Sequence, residues 1–186
     1  MYKKMLALLD GSQMAEIIFP YVKELSGRFG INVSLLHVYA PSSKEFAPTY
    51  QAYIDKSVET LQSQARQVQI NAGKPSEKPV EVRGEIKMGY HADEILRYVD
   101  DNNIDMIIIA SHGRSGGTRW SMGSVADKIL RAAKVPVWLV HATAGTTVPY
   151  DQWPSRTMLV PLSGAEVSAT VLPHALTLAQ QSGAIS

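Results

Sequence analysis

Met5-Leu6-Ala7-Leu8-Leu9-Asp10-Gly11-Ser12 decides how this chain is read. Five apolar residues in unbroken succession suit a strand covered on both faces; a strand with one wet face would alternate. Asp10-Gly11-Ser12 follows as a turn with helix-capping side chains. Ile17, Ile18, Tyr21, Val22 and Leu25 then fall on one helical face, and Gly27 and Gly30 close the helix. The opening thirty residues thus read as a buried strand, a tight turn and a helix, the unit from which parallel sheets are built.

Outward from that unit the same alternation continues. Val33 to Tyr39 reads as a second strand, and Pro41-Ser42-Ser43 opens a loop. Ile54, Val58, Leu61, Ala65 and Val68 mark a long second helix, which Gly73-Lys74-Pro75 ends. Val80 to Ile86 alternates apolar with charged residues, as an edge strand does. Ala92, Ile95, Leu96 and Val99 mark a third helix, and Met106 to Ala110 a fourth strand, again apolar throughout. Val125, Ala126, Ile129, Leu130 and Ala133 mark a fourth helix before a fifth strand, Val137 to Val140. The expected fold class is α/β: a doubly wound, five-stranded parallel sheet with helices on both faces. Residues 1–142 make up that domain, and the turn-rich stretch 143–156 reads as a linker.

After the linker the pattern starts again. Met158-Leu159-Val160-Pro161-Leu162-Ser163-Gly164 parallels Met5 to Gly11 at an offset of 153 (158 − 5). The same offset pairs Pro20 with Pro173, Leu25 with Leu178 and Gly30 with Gly183. Residues 157–186 therefore read as an extra C-terminal strand–helix unit, an incomplete second repeat.

Composition narrows the function classes. The chain has 186 residues, 45% of them apolar, and its 18 Lys and Arg against 17 Asp and Glu leave a net charge of +1. That charge argues against nucleic acid or an anionic membrane as partner. No apolar run approaches the roughly 20 residues that a membrane span needs. Cysteine is absent, which removes disulfides, thiolate metal sites and cysteine nucleophiles, and fits a reducing cytoplasmic setting.

The chemistry-bearing stretch is Ala110-Ser111-His112-Gly113, nine residues, then Gly123-Ser124. It joins the fourth strand to the fourth helix. With its start, Met5 to Ser12, and its close, Val135 to Val140, the chain resembles the universal stress protein family, over 3–142 as a whole domain and over 157–183 as the start of a tandem copy. Nucleotide-binding members carry Gly-x-x-Gly-x9-Gly-Ser/Thr at this loop. Here the spacing, the second and third glycines and the serine are kept, while Ala110 stands at the first glycine and Leu8 where a proline is frequent.

The resemblance implies strand order 3-2-1-4-5 and an adenine nucleotide, with ATP favoured and Mg²⁺ as its companion ion. The chain order then reverses between strands one and four, where open α/β sheets bind ligands. The implied site comprises Asp10 near base and ribose, Val38 beside the adenine, Ala110, His112, Gly113 and Arg114 along the loop, and Gly123, Ser124 and Val125 at the start of the fourth helix, whose N–H groups suit a phosphate. Each position has a plainer alternative: Asp10 as a turn carboxylate, Ser124 as a helix cap, Val38 as a strand residue, Arg114 as an exposed loop cation. His37, His91, His112, His141 and His174 fall at no metal-ligand spacing.

Dedicated enzyme motifs are missing. Gly73-Lys74 runs into Pro75, so there is no P-loop, and no Gly-x-Ser-x-Gly elbow occurs. At most, slow ATP hydrolysis or self-phosphorylation on Ser111, Ser121 or Ser124 is expected. The sequence thus points to a cytoplasmic stress-response sensor that binds an adenine nucleotide and forms a homodimer. The alternative is a nucleotide-free scaffold on the same fold that acts through dimerisation.

Overall fold

The computed structural model describes residues 2–74, 78–112, 122–141 and 159–182. They fall into two units, one up to residue 141 and one from 159 to 182.

The first unit alternates strand and helix. Its elements are β1 (Lys4–Leu9), α1 (Gln13–Glu16), α2 (Phe19–Phe29), β2 (Asn32–Tyr39), a 3-10 turn (Pro41–Phe46), α3 (Ala47–Asn71), β3 (Val82–Met88), α4 (His91–Asp101), β4 (Met106–Ala110), α5 (Ser124–Ala132) and β5 (Val137–Val140). The five strands form one sheet in the order β3-β2-β1-β4-β5. Every pairing is parallel, with Met5 opposite Val33 on one side and Met106 on the other. The chain runs outward from β1 to β3, then returns to β4 and β5, so its direction of growth reverses beside β1.

The apolar runs occupy the centre of the sheet, as their composition requires. All five residues of β4 are buried, and so are Met5 to Leu9 of β1. Leu6, Leu8, Leu36, Val38, Ile107 and Ile109 face α4 and α5 and pack with Ile95, Val99 and Ile129. The alternate residues face α2 and α3, where Ile18, Leu25, Ile54 and Leu61 are excluded from solvent. At about 1.5–3 kcal/mol for each large side chain buried, this two-sided core is the main stabilising term.

Three local features depart from the sequence-based expectation. The first helix is two helices. Pro20 has no N–H to reach the Glu16 carbonyl, so α1 ends at Glu16 and α2 restarts with proline near its first turn. The third strand starts at Val82 rather than Val80, because the Gln62 side chain of α3 takes part of the pairing: its Nε2 donates to the Val80 carbonyl at 2.6 Å and its Oε1 accepts from Val82 N–H at 2.9 Å. The 3-10 turn occupies the stretch read as a loop. Gly27 lets α2 and α3 close together; a Cβ there would lie 2.5 Å from the Ala65 carbonyl oxygen.

The second unit contains α6 (Glu166–Ala169) and α7 (Leu172–Ser182). The expected strand begins at Met158, outside the described residues; residues 159–165 hold no strand, and the helical half of the expected unit is present. A strand needs a ladder partner, and the described residues of this unit offer none. The two helices repeat α1 and α2 end for end at the offset of 153 residues, with the same gap between them.

Candidate functional site

A cleft of about 450 Å³ opens at the carboxyl ends of β1, β2 and β4. This is where the strand order reverses, and its size lies within the 300–1,000 Å³ usual for small-molecule sites. Of the residues expected from sequence, Asp10, Val38, Ala110, His112, Gly123, Ser124 and Val125 all line it. Gly113 and Arg114 lie outside the described residues.

The floor is apolar and comes from strands. Leu8, Leu36, Val38 and Ile109 line it from the core side. Ala110 ends β4 opposite Val140 of β5 and is buried. Its backbone is ordinary: among the described residues Asn103 is the one non-glycine with positive φ. The alanine at a family glycine position therefore brings no left-handed strain, and the residue still lines the cleft.

Asp10 follows β1 directly. Its Oδ1 accepts from the Ser12 N–H at 2.9 Å and the Ser12 hydroxyl at 2.6 Å. Ser12 in turn accepts from Ala15 N–H at 3.1 Å and caps α1. The carboxylate thus both closes the turn and stands in the wall of the cleft. It is the one acidic side chain among the described lining residues.

Opposite lies the N-terminus of α5. Gly123 is its N-cap and supplies no side-chain cap. The Gly123 N–H donates to the Ser111 carbonyl at 2.9 Å, which ties the helix start to the end of β4. The first N–H groups of a helix have no acceptor within it, and they carry the positive end of the helix dipole. Gly123 has φ −61° and ψ 144°, open to any residue, and among the described residues a Cβ would meet the Ser111 carbonyl oxygen at 3.4 Å and the His112 Cα at 3.9 Å, both ordinary contacts. Neither its backbone nor the packing of the described residues demands a glycine here. What its bare Cα leaves is access to the amides behind it.

Beside that helix start, the Ser111 hydroxyl lies 3.0 Å from His112 Nδ1, and both residues are buried. His112 therefore lines the cleft as an internally bonded imidazole.

Sequence reasoning missed several lining residues. His37, Tyr39, Ser43, Tyr50 and His91 all face this cleft. His37 is buried, and its Nδ1 lies 3.1 Å from the Leu9 carbonyl; since a carbonyl only accepts, Nδ1 carries the proton. Tyr50 arrives from the first turns of α3, a placement that no local spacing announces. His37 and Tyr39 were legible as same-face residues of one strand, two positions apart.

Behind the site, the Tyr53 hydroxyl donates to Glu16 Oε1 at 3.0 Å, joining α3 to α1. Burial, then the Glu16 charge and hydrogen bond, push the phenol well above its usual range. Tyr98 is likewise raised, chiefly by burial, and donates to Glu85 Oε1 at 3.0 Å.

A five-stranded parallel sheet of this order, with a cleft where the strand order reverses, defines a doubly wound α/β protein. The universal stress protein family model matches residues 1–141, and the chain belongs to that family. Universal stress protein MJ0577 of Methanocaldococcus jannaschii is 27% identical over 154 residues, covering 75% of this chain and 95% of the relative. The solved structure of MJ0577 aligns with TM-score 0.54 and 26% identity, over 78% of this chain and 99% of that one. A universal stress protein solved in complex with cAMP aligns with TM-score 0.51 and 18% identity, over 76% of this chain and 98% of its own. One from Archaeoglobus fulgidus solved in complex with dAMP aligns with TM-score 0.51 and 18% identity, over 75% and 97%. A longer universal stress protein from Archaeoglobus fulgidus DSM 4304 aligns over 97% of this chain and 64% of its own length, with TM-score 0.65 and 19% identity.

Proposed function

We propose that this chain binds an adenine nucleotide, ATP in preference, in the cleft between β1 and β4, and acts as a nucleotide-dependent sensor in the cytoplasmic stress response. The observation that carries the reading is the α5 N-terminus: a glycine that the described packing does not require stands where the first helix amides meet a cleft of about 450 Å³. The cAMP and dAMP complexes of the related structures support the ligand class.

In this reading the amides of Ser124 and Val125 hold phosphate across Gly123, joined by Gly113 and Arg114. A single exposed helix-end interaction is worth only about 0.3–1 kcal/mol, so several donors must act together. Val38 and Ala110 pack beside the adenine, His112 borders the phosphates, and Asp10 stands near the ribose. Mg²⁺ fits the donor set as a companion of the phosphates, since it is commonly held by one or two carboxylates plus phosphate oxygens and Asp10 is available in the wall. Nucleotide binding at the β4–α5 connection is the switch. The output is association, as a homodimer.

Residues 159–182 are read as the opening of a second tandem copy. Their helix ends, which repeat those of α1 and α2, and the alignment over 97% of the chain with a longer relative support this.

The test is thermal unfolding of the full chain with ATP and Mg²⁺, and with GTP as control. Linkage predicts about 2.7 kcal/mol of stabilisation at a ligand concentration one hundred times Kd. A clear rise in Tm with ATP and little with GTP is the expected result. No rise at millimolar ATP overturns the proposal.

A further inference from the structure

The cleft has two unlike ends. One carries the backbone amides of the α5 N-terminus. The other carries rings. The Tyr50 ring centroid lies 4.4 Å from that of His37 and 5.5 Å from that of Tyr39. His37 and Tyr39 are nearly parallel, 16° apart in plane at 6.4 Å. All three residues line the cleft.

These rings are held in place by several contacts. Neighbouring positions on one face of β2 fix His37 and Tyr39, and the bond from His37 Nδ1–H to the Leu9 carbonyl fixes the imidazole plane. Phe46 also stands beside Tyr50, its ring centroid 6.4 Å away and its plane tilted by 52°. Tyr50 itself is half-buried, so part of its surface still meets solvent. A ring braced by other rings at the edge of an apolar cleft has little freedom left to lose when a planar ligand lies against it.

We propose that Tyr50 determines recognition of the base: it stacks on the base of the bound nucleotide while the phosphates reach the α5 N-terminus. The polarity of the cleft sets this direction, since amides at one end suit an anion and ring faces at the other suit a π-face. His37 and Tyr39 are positioning residues that hold Tyr50. The inference rests on the nucleotide reading above and adds to it the residue that reads the base. Stacking has no donor–acceptor pattern, so Tyr50 reads ring area, and the larger purine gains more than a pyrimidine.

The experiment titrates the full chain calorimetrically with ATP and, separately, with inorganic tripolyphosphate, which lacks base and sugar. Loss of one base–aromatic stack corresponds to roughly a 5- to 150-fold weaker affinity. Tyr50→Ala is expected to weaken ATP by a factor in that range and to leave tripolyphosphate unchanged. Tyr50→Phe, which keeps the ring face, is expected to bind ATP like the wild type. If Tyr50→Ala does not fold, Tyr50→Leu keeps the bulk without the π-face and gives the same comparison. In the ATP-saturated wild type, NOEs between the Tyr50 ring protons and adenine H2 or H8 are expected; their absence overturns the proposal. Unchanged ATP affinity in the variant overturns the stacking inference alone, as does an equal loss toward both ligands. A wild type that binds neither ligand overturns the nucleotide reading, and this inference with it.

Discussion

The helix pairs α1–α2 and α6–α7 have the same lengths and the same interruption, 153 residues apart, yet differ in what surrounds them. In the first, Ile18, Val22 and Leu25 are fully buried. At the matching positions of the second stand Val171, Ala175 and Leu178, and Val171 is exposed. Around them Leu172 and Leu176 are exposed as well. Helix ends are set locally: Pro20 and Pro173 each stand at the second residue of their helix, where a missing N–H costs nothing. Burial is not local. It needs the strands and the second helix layer that residues 1–141 supply and residues 159–182 do not.

That contrast can be broken by one leucine substitution in each helix pair. Leu25→Ala leaves a cavity between α2 and the sheet and is expected to cost about 2–5 kcal/mol. Leu176→Ala, on a side chain that is already exposed, is expected to stay within about 0.5 kcal/mol. Urea unfolding followed by far-UV circular dichroism separates the two. Comparable losses would show that α7 is as integral to the fold as α2.

A smaller effect exchanges residues between the two regions. Gly27 and Gln180 occupy matching positions. Gly27→Gln drives a side chain into Ala65 and Val68 of α3 and is expected to cost about 1–3 kcal/mol by overpacking. Gln180→Gly faces solvent and is expected to cost no more than about 1 kcal/mol, the helix-propensity term. The same urea transitions measure both.

The smallest effect is alkaline. Tyr53 and Tyr98 lie in the first region with raised pKa values, mainly through burial. A raised folded-state pKa means that the neutral phenol is favoured by folding. Their contribution is therefore complete below the unfolded pKa near 10 and is lost as pH rises through the higher folded values. Tm is expected to fall as pH rises above about 10, and Tyr53→Phe with Tyr98→Phe to flatten that fall. Residues 159–182 contain no tyrosine and take no part in it.

The same contrast explains what was legible in the sequence. β1 and β4 announced themselves, because strands buried on both faces must be apolar throughout. The sheet order was not written in periodicity; it came with the family resemblance and agrees with the structure. The break after Glu16 had a visible cause in Pro20, but the apolar face of Ile17 to Leu25 runs across it and masks it. The stretch Met158 to Gly164 copies the composition of β1, and its described part, from Leu159, holds no strand. In the cleft, the positions tied to one loop or one helix end were readable: Asp10, Ala110, His112, Gly123 and Ser124. Tyr50 was not, since only the packing of α3 across β2 brings it beside His37, thirteen residues earlier.

The central claim is that the amides behind Gly123 bind the phosphates of an adenine nucleotide. Isothermal titration calorimetry of Mg²⁺–ATP into the wild type and into Gly123→Leu tests it most directly. The substitution fits the backbone conformation and places a branched side chain in front of the helix end. The account predicts saturable binding by the wild type and none by a folded Gly123→Leu. No heat from the wild type at millimolar ATP, or equal affinity in both proteins, would contradict it.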